Sequence, residues 1–340
     1  MDNLNKTPGM EDGIDRFLSK SPRPALCGAI LRDGETIRFA RGDVDPALEP
    51  VFEIGSIGKT FTASLLALLV RDGLVSLDDP VSKYRPQYPF AASVTLRHLA
   101  SHTAGLPANP AGALTMLTRA RGFMESFRPD DLDTFLRTQR TRPKAIGHFA
   151  YSNIGMALLG HLLAEHLGTG YERAVTERVL KPLGMDDTRI DPRSYPEGRL
   201  VAGHTPGGRQ LPPFVWPGME PAGTWFSTVS DMLRFLRAQV GMAGPDWAAL
   251  GRTMTTPVAR AKSDLQIGLG WMLSPLPRRG EVAWHTGGTL GQHAVVAWTL
   301  AGRHAAVLLT NRRPPLWHHF FGSRRLEDLA DLLMADAERS

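Results

Sequence analysis

A serine and a lysine lie three residues apart, at Ser56 and Lys59, where a predicted loop, Glu53–Gly55, runs into a long apolar stretch. A serine hydroxyl is a weak nucleophile until a base removes its proton. If the apolar stretch is helical, the lysine projects from the same face as the serine, and the free N–H groups of the first turn favour an oxyanion. The pair predicts nucleophilic catalysis, although on its own it fits a helix cap and a solvated lysine better.

The same residues also imitate a nucleotide-binding motif. Gly58-Lys59-Thr60 matches the end of the phosphate-binding pattern Gly-x-x-x-x-Gly-Lys-Ser/Thr. That pattern requires a glycine where this chain has Glu53, and a carboxylate is a poor neighbour for phosphate. The parallel sheet that such a loop needs is also missing from the predicted elements. We therefore favour a nucleophile over a nucleotide site.

A second motif, Tyr151-Ser152-Asn153, stands at the start of a predicted helix. A phenol close to a lysine ammonium loses its proton more easily, so Tyr151 could relay protons between Ser56, Lys59 and a leaving group. Asn153 offers both a donor and an acceptor to an amide or ester substrate. Taken alone, this motif fits a packed tyrosine and a helix-capping asparagine better than a catalytic site.

A third motif, His285-Thr286-Gly287, is followed by Gly288 at the end of a predicted strand. Glycines allow a strand edge to approach a substrate closely, and the N–H of Gly288 can face a developing oxyanion. His285 and Thr286 could bind a carboxylate or a polar substituent. The alternative is a glycine-rich hairpin turn. Together, the three motifs indicate one shared active site.

Strands are predicted near both ends of the chain and helices in its middle. Asp33-Gly34 is a strong hairpin signal between strands at Ala25–Leu31 and Thr36–Ala40. Helices are predicted at Met10–Lys20, Lys59–Arg71, Asp130–Arg140, Ile154–Leu167, Tyr171–Val179, Thr228–Val240 and Arg324–Arg339, a long loop at Tyr195–Pro221, and further strands at Gly270–Ser274, Glu281–Trp284, Gln292–Leu300 and Ala305–Leu309.

This order predicts an α/β (α+β) fold, in which an antiparallel sheet is built from both ends of the chain and flanked by the terminal helices. Residues 1–58 and 262–340 would form this α/β sandwich domain. Residues 59–261 would form an inserted, mostly helical domain, and the active site would lie in the cleft between the two domains.

The sequence resembles the penicillin-recognising serine hydrolases, in the branch of class C β-lactamases, D-alanyl-D-alanine carboxypeptidases and β-lactamase-like family VIII esterases. Tyr151-Ser152-Asn153 stands where class A enzymes carry Ser-Asp-Asn. Further family-like stretches are Leu96–Pro107, Pro221–Thr228 and Gly268–Trp271. The resemblance covers about residues 25–310 and implies a β-lactamase-like fold. It also implies an oxyanion hole made by the N–H groups of Ser56 and Gly288.

The predicted activity is hydrolysis of small esters, with amides and β-lactams as further substrates, through an acyl-serine on Ser56. Either Lys59 or Tyr151 could be the base. A β-lactamase, a D-amino-acid peptidase, an acyltransferase and a non-catalytic binding protein on the same fold are the alternatives. His285 replaces the lysine of class C β-lactamases, and its charge at neutral pH is open. That replacement weakens the β-lactamase alternative.

Composition excludes several other classes of protein. The net charge of +5 comes from scattered basic residues, so no nucleic-acid partner is expected. The only cysteine, Cys27, cannot form an internal disulfide, and no His-Glu-x-x-His or similar spacing indicates a metal or another cofactor. No apolar stretch approaches the roughly 18 residues of a membrane span, and the first residues do not resemble a signal peptide. The sequence therefore predicts a cytoplasmic protein of undetermined oligomeric state.

Overall fold

A computed structural model describes residue 14 and residues 24–312, except for residues 206, 263, 277–279 and 303. The strands of these described residues are β1 (Ala25–Arg32), β2 (Glu35–Gly42), β3 (Phe52–Glu53), β4 (Gly203–His204), β5 (Gln210–Leu211), β6 (Phe226–Ser227), β7 (Ala259–Lys262), β8 (Leu265–Ile267), β9 (Met272–Leu276), β10 (Gly280–Gly288), β11 (His293–Thr299) and β12 (His304–Thr310). The helices are α1 (Gly58–Arg71), α2 (Leu96–Ala100), α3 (Ala113–Thr118), α4 (Ala120–Ser126), α5 (Pro129–Thr138), α6 (Asn153–His166), α7 (Tyr171–Val175), α8 (Val229–Gln239) and α9 (Pro245–Thr255).

The main sheet has eight strands in the order β2-β1-β12-β11-β10-β9-β8-β7, and all neighbours are antiparallel. The β1–β2 hairpin turns at Asp33 and Gly34, whose φ angles of 46° and 90° suit the tight turn that the sequence predicts. β1 also pairs with β12, with Cys27 opposite Leu309. The predicted antiparallel sheet, built from both ends of the chain, is therefore confirmed.

Helix α1 lies in the centre of the molecule. Every residue from Gly58 to Leu69 is buried, since the helix packs against α6, α7 and α9. Helix α8 instead packs against strands β1, β11 and β12 of the main sheet. The predicted division into a sheet domain and an inserted helical domain remains a proposal. Because α8 packs on the sheet, it would belong to the sheet domain, although the prediction placed it in the inserted one. The predicted terminal helices Met10–Lys20 and Arg324–Arg339 lie outside the described residues, apart from Ile14.

Three local predictions differ from the structure. The helix predicted at Tyr171–Val179 is α-helical only to Val175 and continues as a π-helical turn, Thr176–Leu180. Pro182, which has no N–H to donate, follows that turn. The predicted loop at Tyr195–Pro221 contains the β4–β5 hairpin. Glu53, expected in a loop, belongs to β3, which pairs with β6.

Leu69→Ala in α1 should lower the free energy of unfolding by about 2–5 kcal/mol, because a fully buried leucine would leave a cavity. Leu114→Ala in α3 removes the same atoms from a side chain that is 74% exposed. It should change the free energy of unfolding by less than about 0.5 kcal/mol. Urea denaturation of the two variants measures both effects. Equal losses would contradict the central position of α1.

Candidate active site

Ser56 lies in a short 3-10 turn, Gly55–Ile57, that leads directly into α1. Gly55 has a φ of 50°, in the left-handed region that favours glycine. A Cβ atom on Gly55 would lie only 2.9 Å from the backbone nitrogen of Gly288. The end of β10 therefore contacts the turn that carries the serine.

The backbone N–H of Ser56 belongs to the first turn, where N–H groups lack partners within the helix. The first backbone hydrogen bond of this turn is donated by the N–H of Ile57 to the carbonyl of Ile54, at 3.2 Å. The positive end of α1 lies at the same place. These features favour negative charge close to the Ser56 hydroxyl.

Lys59 lies in the first turn of α1 and is fully buried. Its Nζ atom is 2.9 Å from the Oγ atom of Ser56. The same Nζ donates a hydrogen bond to the backbone carbonyl of Ala222 and lies 5.0 Å from the ring centroid of Tyr151. The structure thus brings together the serine, lysine and tyrosine that the sequence selected.

Burial shifts the protonation of Lys59 and Tyr151 in opposite directions. It lowers the pKa of Lys59 well below 10.5, because an ammonium loses its hydration there. It raises the pKa of Tyr151, since a phenolate is disfavoured in the same way; a side-chain hydrogen bond with Ser56 opposes this only in part. The site therefore favours a neutral lysine and a protonated tyrosine.

Tyr151 is held by the residues around the start of α6. The hydroxyl of Ser152 caps this helix by accepting the N–H of Gly155 at 3.0 Å, and donates to the carbonyl of Pro107 at 2.6 Å. The ring of His102 lies against the ring of Tyr151, with 4.4 Å between centroids. Nδ1 of His102 also accepts the backbone N–H of Ser152 at 3.2 Å. Contacts on both sides of the motif fix the orientation of the tyrosine.

Asn153 is the first residue of α6. Its backbone N–H donates to the carbonyl of Ala108 at 2.9 Å, and its side-chain amide donates to Oδ1 of Asn109 at 2.7 Å. The side chain is thus oriented by the loop that follows α2. The structure places Asn153 two residues from Tyr151, in contact with this loop.

His285 lies on β10, with Val296 of β11 opposite it, and is only 2% exposed. Burial is the main cause that lowers the pKa of His285 to about 3, and Lys59 adds to this shift only in its protonated form. Nδ1 lies 2.7 Å from the carbonyl oxygen of Thr286, so the neutral ring carries its proton on Nδ1 and donates it there. For the charge that the sequence left open, this low pKa favours a neutral His285 at neutral pH.

Gly287 and Gly288 end β10 beside the serine turn. A Cβ atom on Gly287 would lie 1.8 Å from the carbonyl oxygen of Ile54 and 3.2 Å from the nitrogen of Ser56. Gly288 is exposed, and a Cβ atom there would meet nothing within 4 Å. Gly287 is therefore required by packing, whereas Gly288 faces open space. The backbone carbonyl of Thr286 contacts the ring of His285.

Three further groups at the site were not selected from the sequence. The carbonyl of Ala222 is a backbone atom, which no side-chain pattern indicates. His102 belongs to none of the three motifs, and its ring contact with Tyr151 joins residues from distant parts of the chain. Glu53 was considered only as a departure from a phosphate-binding loop. The family-like stretches Leu96–Pro107 and Pro221–Thr228 were the available signals for the first two.

Comparison with known proteins identifies the family. The sequence model described as Beta-lactamase matches residues 12–331. The chain belongs to the beta-lactamase family. Putative beta-lactamase-like 1 of Homo sapiens is 30% identical over 256 residues, which are 69% of this chain and 49% of that protein. The D-alanyl-D-alanine-carboxypeptidase/endopeptidase AmpH of Escherichia coli (strain K12) is 28% identical over 295 residues, 80% of this chain and 74% of that protein.

The match to the human protein thus spans about half of that relative's length. Among solved structures, a class C beta lactamase from Rhodobacter sphaeroides superimposes with a TM-score of 0.79 at 24% identity, covering 96% of this chain and 99% of that one. This likeness shows the fold. The predicted β-lactamase-like fold and the resemblance to penicillin-recognising serine hydrolases are therefore confirmed.

The described residues contain neither a candidate membrane span nor a candidate metal cluster. No helix among them has the length and apolar character needed to cross a membrane. Within the same part of the chain, no group of three or more His, Cys, Asp or Glu side chains could hold a metal ion.

Gly287→Ala should lower the free energy of unfolding by about 1–3 kcal/mol, because the new methyl group would push β10 away from the carbonyl of Ile54. Gly288→Ala adds the same methyl group to open space and should change it by less than about 0.5 kcal/mol. Thermal denaturation of the two variants provides the comparison. A Gly287→Ala protein as stable as the wild type would show that β10 does not approach the serine turn this closely.

Proposed function

We propose that the protein hydrolyses small esters through a covalent acyl-enzyme on Ser56. The observation that supports this most strongly is the 2.9 Å contact between the Ser56 hydroxyl and the fully buried amine of Lys59. A buried amine with a lowered pKa is a base that can accept the serine proton near neutral pH. Between the two candidate bases, this favours Lys59, because the raised pKa of Tyr151 keeps its phenol protonated.

In this mechanism, Ser56 Oγ attacks the ester carbonyl while its proton passes to Nζ of Lys59. The carbonyl of Ala222 accepts a hydrogen bond from the resulting ammonium. The leaving alkoxide then receives a proton from Lys59 through the hydroxyl of Tyr151. The side chain of Tyr151 is hydrogen-bonded to Ser56, and its ring centroid lies 5.0 Å from Nζ of Lys59. Water then attacks the acyl-enzyme, and its proton passes through Tyr151 to Lys59. Lys59 returns a proton to Ser56 Oγ, and the acid is released.

The oxyanion would be held by the backbone N–H groups of Ser56 and Gly288. Both belong to segments that the structure places in contact, since Gly55 closely approaches the nitrogen of Gly288. Preorganised backbone donors of this kind stabilise the transition state without reorganisation. Asn153 and Thr286 would orient the acyl part of the substrate.

The neutral state of His285 supports esters over substrates that carry a carboxylate. A cation at this position would pair with the carboxylate of a penicillin or a peptide. His285 is buried, with a pKa lowered to about 3, so it supplies no such charge at neutral pH. A substrate with a neutral acyl group does not need a cation at this position, whereas a substrate with a carboxylate would lack an ion pair there.

A D-peptide or β-lactam hydrolase is the second candidate. It is favoured by the names of the similar proteins, which include a D-alanyl-D-alanine-carboxypeptidase/endopeptidase and a class C beta lactamase. Those substrates would use the same acyl-enzyme on Ser56. An acyltransferase differs only in the acceptor that releases the acyl group, and a non-catalytic binding protein would not form the intermediate at all.

The wild type should hydrolyse p-nitrophenyl acetate and butyrate much faster than a chromogenic cephalosporin or a D-Ala-D-Ala peptide, and Ser56→Ala should abolish all turnover. Initial rates on this panel test the assignment. Fast cephalosporin or peptide turnover would favour the second candidate. Full esterase activity in Ser56→Ala would remove Ser56 from the mechanism.

The rate of covalent labelling of Ser56 by a fluorophosphonate should rise with pH and level off well below pH 10.5, since burial lowers the pKa of Lys59 and only the neutral amine accepts the proton. Tyr151, whose pKa is raised, stays protonated over this range and does not produce the rise. Labelling rates measured from pH 5 to 11, at about half-unit steps, locate the midpoint.

Lys59→Met is the matched control for this profile, because it keeps an unbranched side chain without a titrating amine. Its labelling should be slow and lack the same rise. A wild-type midpoint in the ordinary lysine range, near 10.4, would contradict the assignment of Lys59 as a neutral base.

A further inference from the structure

A buried carboxylate lies just before the nucleophile in the sequence. Glu53, on β3, is 6% exposed. Its Oε1 atom accepts the backbone N–H of Phe214 at 2.8 Å, and its Oε2 atom accepts the hydroxyl of Thr289. Its own backbone N–H donates to Oε1 of Gln292 at 3.1 Å. Glu53 is thus hydrogen-bonded to the segment after β10 through both its side chain and its backbone.

Thr289 directly follows Gly288 and closes the turn between β10 and β11. Its hydroxyl oxygen accepts the N–H of Gln292 at 3.1 Å and lies 3.4 Å from the N–H of Gly291. A hydroxyl has two lone pairs and one hydrogen. Because its lone pairs face these N–H groups, its hydrogen is directed to Glu53.

The surroundings of Glu53 require a group that only accepts hydrogen bonds. The N–H of Phe214 can only donate, and the hydroxyl of Thr289 is already the acceptor in its own turn. An ionised carboxylate accepts on both oxygens, whereas a glutamine amide accepts on one and donates on the other. Burial raises the pKa of Glu53, and these two hydrogen bonds, together with the charge of Arg121, act against that rise.

We propose that Glu53 is a positioning residue for the oxyanion hole, holding the N–H of Gly288 in register with the N–H of Ser56. This inference rests on the proposed acyl-enzyme mechanism. The Ser56 donor lies in the 3-10 turn that follows β3, and β3 pairs with β6. The Gly288 donor ends β10, which pairs with β9 and β11 instead. Glu53 precedes one donor by three residues and is hydrogen-bonded to the residue that follows the other.

The expected effect is on the transition state and not on substrate binding. Oxyanion donors act when they lie about 2.7–3.1 Å from the developing charge, and a displacement of about 1 Å can cost a hundredfold in rate. A loosened turn at Thr289 would move the N–H of Gly288 without removing it. We therefore expect kcat to fall by about 10- to 100-fold, with KM little changed.

The test compares Glu53→Gln, Thr289→Val and Thr289→Ser with the wild type on p-nitrophenyl butyrate. Active sites are counted by complete fluorophosphonate labelling, so that kcat is expressed per competent site. Glu53→Gln and Thr289→Val should both show the 10- to 100-fold loss in kcat. Thr289→Ser restores the hydroxyl and should recover most of the activity that Thr289→Val loses. The double variant Glu53→Gln/Thr289→Val should have a kcat no lower than that of the single variants, because both substitutions break the same hydrogen bond.

Asp231→Asn is the matched control. Asp231 is also a buried carboxylate, 1% exposed, that accepts a backbone N–H, from Asp187 at 2.8 Å, and a threonine hydroxyl, from Thr188 at 2.9 Å. It lies in α8, outside the proposed oxyanion hole. Asp231→Asn should lower the melting temperature while leaving kcat per competent site unchanged.

Each outcome decides the inference. Wild-type kcat per site in both Glu53→Gln and Thr289→Val would overturn it, and so would an equal loss of kcat in Asp231→Asn. If Glu53→Gln does not fold, the Thr289→Val and Thr289→Ser pair decides alone. A wild type without Ser56-dependent turnover would instead overturn the proposed function, and this inference with it.

Discussion

The burial of the Lys59 amine is the constraint on which the rest of the structure depends. An amine that is cut off from water needs polar partners, and here they are the hydroxyl of Ser56 and the carbonyl of Ala222. Both partners must be delivered by packed elements, which explains why α1 is buried along most of its length. The same desolvation lowers the pKa of the amine and prepares it to act as a base. The burial of this amine is thus linked both to the packing of α1 and to the lowered pKa of Lys59.

The site is assembled from three chain segments that have little in common locally. One is the first turn of α1, one precedes α6, and one is the end of β10. Each segment is fixed by its own hydrogen bonds, such as the cap that Ser152 provides to α6. Close contacts join the segments, as between Gly287 and Ile54. The catalytic geometry therefore depends on how the helices pack against the sheet.

Much of this could be predicted from the sequence, because hydrophobic periodicity and turn residues are local signals. Asp33-Gly34 located the hairpin, and the spacing of Ser56 and Lys59 located the first turn of α1. The π-helical turn after Val175 gave no such signal, since its residues continue an ordinary helical pattern. The charge state of His285 and the acceptor role of Glu53 depend on burial by distant residues. The spacing of residues along the sequence does not indicate that burial.

The pairing of β1 with β12 also has a consequence for how the protein is made. These strands are neighbours in the sheet but are separated in sequence by residues 33–303. During synthesis, β1 and α1 leave the ribosome long before their partner strands exist, and contacts between such distant segments form slowly. Ser56, the proposed nucleophile, is therefore translated well before Gly288 of β10, its proposed oxyanion donor. Until β10 has been translated, a nascent chain would carry the serine without this proposed donor.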